Sequence, residues 1–201
     1  MTDIYDVIVV GAGTAGLPAT IYAAERGARI LLVEQAGNVG GTMHVSSGQM
    51  SAAGTKLQKA KGIEDTPDLH FDDVIRISRG RVDKALVRLA VDLAPSTVDW
   101  LTELGADFDP ASPAIFYGHE PYSVPRTHWG VDGALSYLKV LRPLFDRAIA
   151  SGNVDLRLNT EMTRIITDAS GAATGIEMRQ GDGPAESARA RNIVLTTGGY
   201  G

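Results

Sequence analysis

The 201-residue chain contains no cysteine. That absence excludes disulfides, thiolate metal sites and dithiol redox chemistry together, so any redox function has to rest on a bound cofactor. Histidine is scarce, with four in all, and His119 and His128 lie nine apart with no further ligand near, so no metal site is expected. No block of lysine and arginine occurs and the net charge is −5, which leaves no electrostatic footprint for nucleic acid. Long apolar runs are missing as well: the longest spans a handful of residues, against the roughly 20 needed to cross a bilayer. The N-terminus MTDIYDVIVV carries two aspartates and neither a basic n-region nor a small-residue cleavage site, and reads as cytoplasmic. What is present, 44% hydrophobic and 21% charged, suffices for a folded domain with a sizeable core.

The strongest local pattern runs from Asp6 to Glu34, DVIVVGAGTAGLPATIYAAERGARILLVE. Val7 to Val10 are consecutive apolar residues of the kind that form a strand covered on both faces. Gly11, Gly13 and Gly16 follow in G-x-G-x-x-G spacing, and Thr14 and Ala15 stand at the mouth of a helix predicted to run to about Arg26, with Gly27 ending it. Ile30 to Val33 is a second buried strand, closed by Glu34. Gly11 permits the tight turn, Gly13 lets a pyrophosphate approach the backbone, and Gly16 lets helix and strand pack closely. The phosphates then face the positive helix N-terminus. Glu34, 18 residues beyond Gly16, can accept hydrogen bonds from an adenosine ribose and disfavours a 2′-phosphate.

That fingerprint does not separate FAD from NAD. After Glu34 comes Gln35 to Thr55, a run of small residues with no helix or strand period. An extended segment laid along a large cofactor and a flexible surface loop fit this composition equally well. The chain ends on NIVLTTGGYG, a short apolar run followed by Thr196, Thr197 and paired glycines, which usually let a backbone approach something closely.

With these residues the sequence resembles the FAD-binding flavoproteins of the fumarate reductase and succinate dehydrogenase family, with the soluble fumarate reductases and 3-ketosteroid dehydrogenases. Gly40, Gly41, Ser46, Ser47 and Gly48 match the family's glycine and small-residue spacing after the acid, and Thr197-Gly198-Gly199 match its returning strand. The resemblance implies an α/β, Rossmann-like FAD-binding fold with a central parallel sheet, a β-hairpin meander and flanking helices. It implies that Gly11, Gly13, Thr14, Ala15, Gly16, Glu34 and Gln35 bind the cofactor, with Gly40, Gly41, Thr42 and Met43 along the pyrophosphate and the near side of the flavin. Ser47, Gly48 and Gln49 would lie against the isoalloxazine ring, Met162 would present its backbone to the adenine, and Thr197, Gly198 and Gly199 would return to the FAD. Some relatives attach FAD through a histidine in this loop. The linking position falls here on Met43, one residue before His44, so FAD is expected to be held non-covalently.

Between these ends the pattern is mostly helical. Leu86, Leu89, Ala90 and Leu93 keep an i, i+3, i+4, i+7 face that predicts burial, and Pro95 predicts a break with a restart at Ser96 and Thr97. A further helix is predicted over about Gly133 to Ala150, with Leu135, Leu138, Leu141, Phe145 and Ile149 on one side and a kink or late start at Pro143. Met162 to Thr167 and Gly175 to Arg179 read as a hairpin turning at Asp168 to Gly171. FYGHEPYSVPRTHWG, Phe116 to Gly130, concentrates histidine, arginine and aromatic side chains in a proline-bearing loop. Such loops often line sites, and Arg126 and His128 are the candidate catalytic residues here, against the reading that the loop is simply packed. His70 reads as a surface or helix-start histidine.

The function expected is that of the N-terminal FAD-binding portion, over residues 1–201, of an oxidoreductase. It would move hydride between flavin N5 and a C=C or CH–CH substrate such as an unsaturated acid or enone. Its partners would be a small-molecule substrate and an electron donor or acceptor, with the capping domain and the C-terminal flavin segment lying outside the chain. A non-catalytic FAD-binding scaffold and an NAD-dependent dehydrogenase are the alternatives, and the hairpin speaks against a second nucleotide-binding half that the latter needs.

Overall fold

The computed structural model describes residues 4–199; Met1 to Asp3, part of the segment read for targeting, lie outside it with Tyr200 and Gly201. In chain order the elements are β1 (Ile4–Val10), α1 (Gly16–Ala24), β2 (Ile30–Val33), β3 (Met50–Ser51), α2 (Lys56–Ala60), α3 (Pro67–Ile77) and α4 (Lys84–Glu103). They continue with β4 (Thr127–His128), α5 (Leu135–Ala150), β5 (Val154–Arg157), β6 (Thr160–Thr167), β7 (Ala173–Gln180) and β8 (Ala185–Leu195). A short 3-10 turn covers Gly41–His44.

These elements form two compact units. The first holds the segments up to His44 and from Leu141 onward; the second is Val45–Val140. The first is built on a six-stranded sheet of order β5-β2-β1-β8-β7-β6. Its β5, β2, β1 and β8 are parallel, whereas β7 and β6 return antiparallel as the predicted hairpin. The Asp168 carboxylate fixes that hairpin's turn by accepting from Ser170 N, Ser170 Oγ and Ala172 N. The uninterrupted apolar runs have a physical consequence: Ile30, Leu31, Leu32 and Val33 are all essentially inaccessible to solvent. Ile8, Val10, Leu31 and Val33 share one core cluster with Ile176, Met178, Ala188 and Ala190. Register then decides where the site falls. Val10 lies beside Val33 on one side and Leu195 on the other, so three parallel strands end together. Crevices at the carboxyl ends of such strands are where open α/β sheets bind ligands. Beyond β8 the sheet continues with the antiparallel β7 and β6, where a second nucleotide-binding half would add parallel strands, and this speaks against the NAD-dehydrogenase alternative.

In the second unit, α2 starts with a capping box between Thr55 and Gln58. Thr66 caps α3, and the Asp83 carboxylate caps α4. Two expectations are corrected here. First, α4 runs unbroken through Pro95. Proline removes the one backbone donor that would meet the Val91 carbonyl, a single lost bond in a helix of 20 residues, while Ser96 and Thr97 donate their hydroxyls to the Leu93 carbonyl at 2.8 and 3.1 Å. Second, the Leu86–Leu89–Leu93 stripe faces outward, exposed to 64, 57 and 55%. The buried side is Val91, Val98 and Leu101. That stripe keeps its apolar character past the proline, whereas the leucine stripe runs into Ser96, so only the former can cover the whole helix length. In α5 the helix likewise passes through Pro143, and Tyr137, Leu141, Phe145 and Ala148 are its buried apolar residues while Leu135 is exposed.

Candidate functional site

The first unit contains a cavity of about 600 Å³ at the carboxyl ends of β1, β2 and β8, within the size range of small-molecule sites. Its floor is the turn from β1 into α1. Gly11 sits at φ +99° and donates its N–H to Val33 O at 2.7 Å. A Cβ on Gly11 would stand 2.4 Å from Thr196 O, and one on Gly16 only 1.8 Å from Gly11 O. Both glycines are therefore required by the fold itself. Gly13 differs. The nearest atom to a Cβ there would be Gly41 Cα at 3.9 Å, so its bare backbone is open towards the cavity. The helix beyond it begins at Ala15 with no side-chain cap and no acid in its first turn. Leu17 N–H already donates to Gly13 O at 3.0 Å and Pro18 has none, so the helix end offers its dipole and the backbone N–H groups that precede Leu17, an arrangement that suits a bound phosphate.

The opposite lip comes from the loop after β2. Gly40 N donates to Ala12 O at 2.8 Å, and Gly41, at φ +50°, brings its backbone against Gly13. Thr14 and Thr42 face each other with hydroxyls 3.4 Å apart. At the far end, Glu34 accepts from Ala12 N through Oε2 and from Ala36 N through Oε1, each at 2.7 Å. Two lone-pair sites remain on that carboxylate for ribose hydroxyls.

The cavity gathers Gly11, Gly13, Thr14, Ala15, Glu34, Gln35, Gly41, Thr42, Met162, Thr197 and Gly198 of the residues expected from sequence. Gly16 and Met43 are buried in packing instead, and Gly40 and Gly199 do not line it. His44 is tied to its own loop, its Nε2 2.8 Å from Val39 O. Ser47, Gly48 and Gln49 belong to the second unit. There Gly48, at φ +66°, accepts the Tyr137 hydroxyl on its carbonyl at 2.7 Å, and burial pushes that tyrosine's pKa up to about 12. Thr160, Glu161 and Thr196 line the cavity without having been expected. The signal for Thr196 was its place one residue after the strand that pairs with β1; Thr160 and Glu161 carry no local signal, because it is the pairing of β5 with β2, and the short link from Arg157, that carry the start of β6 to Glu34, whose carbonyl accepts Thr160 N at 2.9 Å.

The loop from Phe116 to Gly130 divides in two: Tyr117 to Pro121 are exposed, whereas Arg126, Thr127 and His128 are buried. Arg126 is wholly buried. Its Nε and Nη2 meet Asp65 at 3.0 and 2.9 Å, and its Nη1 meets Asp73 at 3.0 Å. Gln58, also buried, donates Nε2 to Asp65 and to Pro125 O and accepts Gly54 N, so every polar atom of that side chain is used. Burial works to raise the Asp73 pKa, but hydrogen bonds from Arg76 and Ser123 and the Arg126 charge outweigh it and hold it below the ordinary value. His128 is inaccessible, with Nε2 3.1 Å from Thr55 Oγ1, and burial lowers its pKa. Arg126 and His128, the candidate catalytic residues, are both inaccessible to solvent within this unit. His70 stands near the start of α3, as read, but not at the surface: only 4% exposed, it stacks edge-on against Tyr122. Burial first, then the Arg126 charge, push its pKa down to about 4.

Fold and cavity together define a dinucleotide-binding α/β protein. The chain belongs to the FAD binding domain family, whose match covers residues 6–201, and the family's cofactor, FAD, fits the uncapped helix, the open Gly13 backbone and the Glu34 carboxylate. The chain is 35% identical over 98% of its length to a fumarate reductase (cytochrome) of Shewanella frigidimarina, covering 34% of that protein. It is 31% identical over its whole length to a urocanate reductase of Eggerthella lenta, covering 32% of it. Among solved structures it is similar to the open conformation of a flavocytochrome c3 fumarate reductase, with TM-score 0.83 and 31% identity, over 99% of this chain and 34% of that one. A 3-ketosteroid-Δ4-(5α)-dehydrogenase from Rhodococcus jostii RHA1 gives TM-score 0.80 and 25% identity, over 100% and 47%. The chain spans about a third of the length of the curated relatives it matches. No helix among the described residues is long and apolar enough to cross a membrane.

Proposed function

We propose that the chain is the FAD-binding part of an oxidoreductase acting on an activated carbon–carbon double bond, or on the CH–CH bond that corresponds to it. When bound, FAD supplies hydride exchange with a substrate carbon at flavin N5. The chain's own residues do the binding and orienting. The α1 N-terminus and the Gly13 and Gly41 backbones receive the pyrophosphate, Glu34 accepts the ribose hydroxyls, and Met162 borders the adenine. Thr197, Gly198 and Gly199 carry β8 back to the cofactor, and Ser47, Gly48 and Gln49 are assigned to the isoalloxazine ring on the resemblance alone. The observation that carries the reading is the cavity itself, in which an uncapped helix end and a well-held carboxylate stand at the ends of three parallel strands.

Named relatives reduce fumarate and urocanate, which supports a small unsaturated acid as substrate. The cytochrome in one relative's name supports an electron carrier as partner. A cytoplasmic location remains part of this proposal, to be checked by cell fractionation. The test of function is a titration of the purified chain with FAD, followed by acid precipitation, then mixing of the reduced protein with fumarate or urocanate. One FAD taken up per chain and released into the acid supernatant is the expected result, and reoxidation by one of these acids would extend it to catalysis by these residues alone. Failure to take up FAD refutes the binding reading. Uptake without reoxidation refutes competence of these residues alone and leaves an FAD-binding scaffold.

A further inference from the structure

Thr196 has two hydrogen-bonding groups turned to the same place. Its backbone N–H donates to Val10 O at 2.8 Å, which continues the β1–β8 ladder by one residue. Its hydroxyl lies 2.8 Å from Val10 O and equally 2.8 Å from Gly11 O. The Val10 carbonyl already has the N–H, so the hydroxyl is what reaches the Gly11 carbonyl, at the point where the chain leaves the strand. The same oxygen would be 2.7 Å from a Cβ on Gly16. Thr196 thus touches the start of the glycine turn and the start of α1 at once. A β-branched residue suits this task, because few χ1 rotamers are open to it and the hydroxyl stays aimed.

We propose that Thr196 is a positioning residue for FAD: its hydroxyl pins the Gly11 turn to the end of β8 and so holds Gly13 and the α1 N-terminus in the shape that receives the pyrophosphate. The proposal rests on the FAD-binding reading. Without the hydroxyl, the Gly11 carbonyl loses its partner and the turn samples other conformations. Affinity then falls in proportion to the fraction of molecules still preformed. Loss of one neutral hydrogen bond of ordinary strength corresponds to about a fivefold weaker Kd.

The test compares Thr196→Val, which keeps the shape and β-branching, with Thr196→Ser, which keeps the hydroxyl. FAD Kd is measured by quenching of flavin fluorescence. Amide hydrogen exchange of Gly11 and Ala12 is measured on the cofactor-free chain. The expected result is a Kd about fivefold weaker in Thr196→Val and within twofold of the parent in Thr196→Ser, with faster exchange in the valine variant alone. A valine variant that binds like the parent overturns the proposal, and so does a serine variant as weak as valine, which would point to packing rather than the hydroxyl. Should the parent chain itself take up no FAD, the cofactor reading fails. The exchange rates then decide the clamp separately: unchanged rates in the valine variant refute it.

Discussion

Replacing Arg126 by methionine keeps most of the side chain's length and removes its charge. In the structure that charge compensates two carboxylates, Asp65 and Asp73, whose side chains are 0 and 5% exposed. The guanidinium meets Asp65 through two parallel N–H bonds, a geometry methionine cannot imitate and lysine matches only in part. It also lies 5.2 Å from the Tyr122 ring centroid. Removing one partner of a buried pair strands the others uncompensated, which destabilises by about 3–5 kcal/mol. For a chain of this size that corresponds to a Tm lower by roughly 10 °C. Both tryptophans, Trp100 and Trp129, lie in the second unit, so urea unfolding followed by tryptophan fluorescence reports on the affected region. Arg126→Lys is expected to recover part of the loss, and Arg126→Met combined with Asp65→Asn more than Arg126→Met alone. A methionine variant within about 1 kcal/mol of the parent would refute the brace. Loss of turnover at unchanged stability would return Arg126 to a catalytic role.

Three further outcomes follow from the same geometry. Glu34→Gln keeps the shape but puts an amide where two backbone N–H groups now meet a carboxylate; FAD is expected to bind about tenfold more weakly, read by titration, and an unchanged Kd would remove Glu34 from the site. Gly16→Ala places a methyl 1.8 Å from Gly11 O, so the turn has to move; FAD uptake and Tm should both fall, and normal uptake would contradict the packing described. His70 binds its proton near 6.5 when unfolded and near 4 when folded. Between those values the unfolded chain holds more protons, so stability present at neutral pH is lost as pH falls through this window, by up to about 3 kcal/mol. Urea midpoints measured across that range should slope less in His70→Asn, and equal slopes would rule out a buried neutral His70.

The first unit was legible because its signals are local. The glycine spacing, the two apolar runs and the acid at the second strand's end each constrain a few adjacent residues, and the turn they form is the one observed. The second unit was less legible for the same reason in reverse. On α4 two apolar stripes compete within one helix, and only the surface it packs against selects Val91, Val98 and Leu101 over the leucines. Pro95 signals a break by its chemistry, yet the helix continues unbroken on both sides of it.

Arg126 and His70 show the limit most directly. A charged or titratable side chain in a loop reads as available until its partners are known, and Asp65 lies 61 residues before Arg126. By itself the sequence determined the β1–α1–β2 nucleotide turn, the acid that faces it, the hairpin and the returning glycine strand, since each is dictated by steric and periodic rules acting over short spans. Only the tertiary structure decided which polar groups line a cavity and which brace the interior. Burial, charge compensation and strand register are properties of residues far apart in the chain that become neighbours on folding.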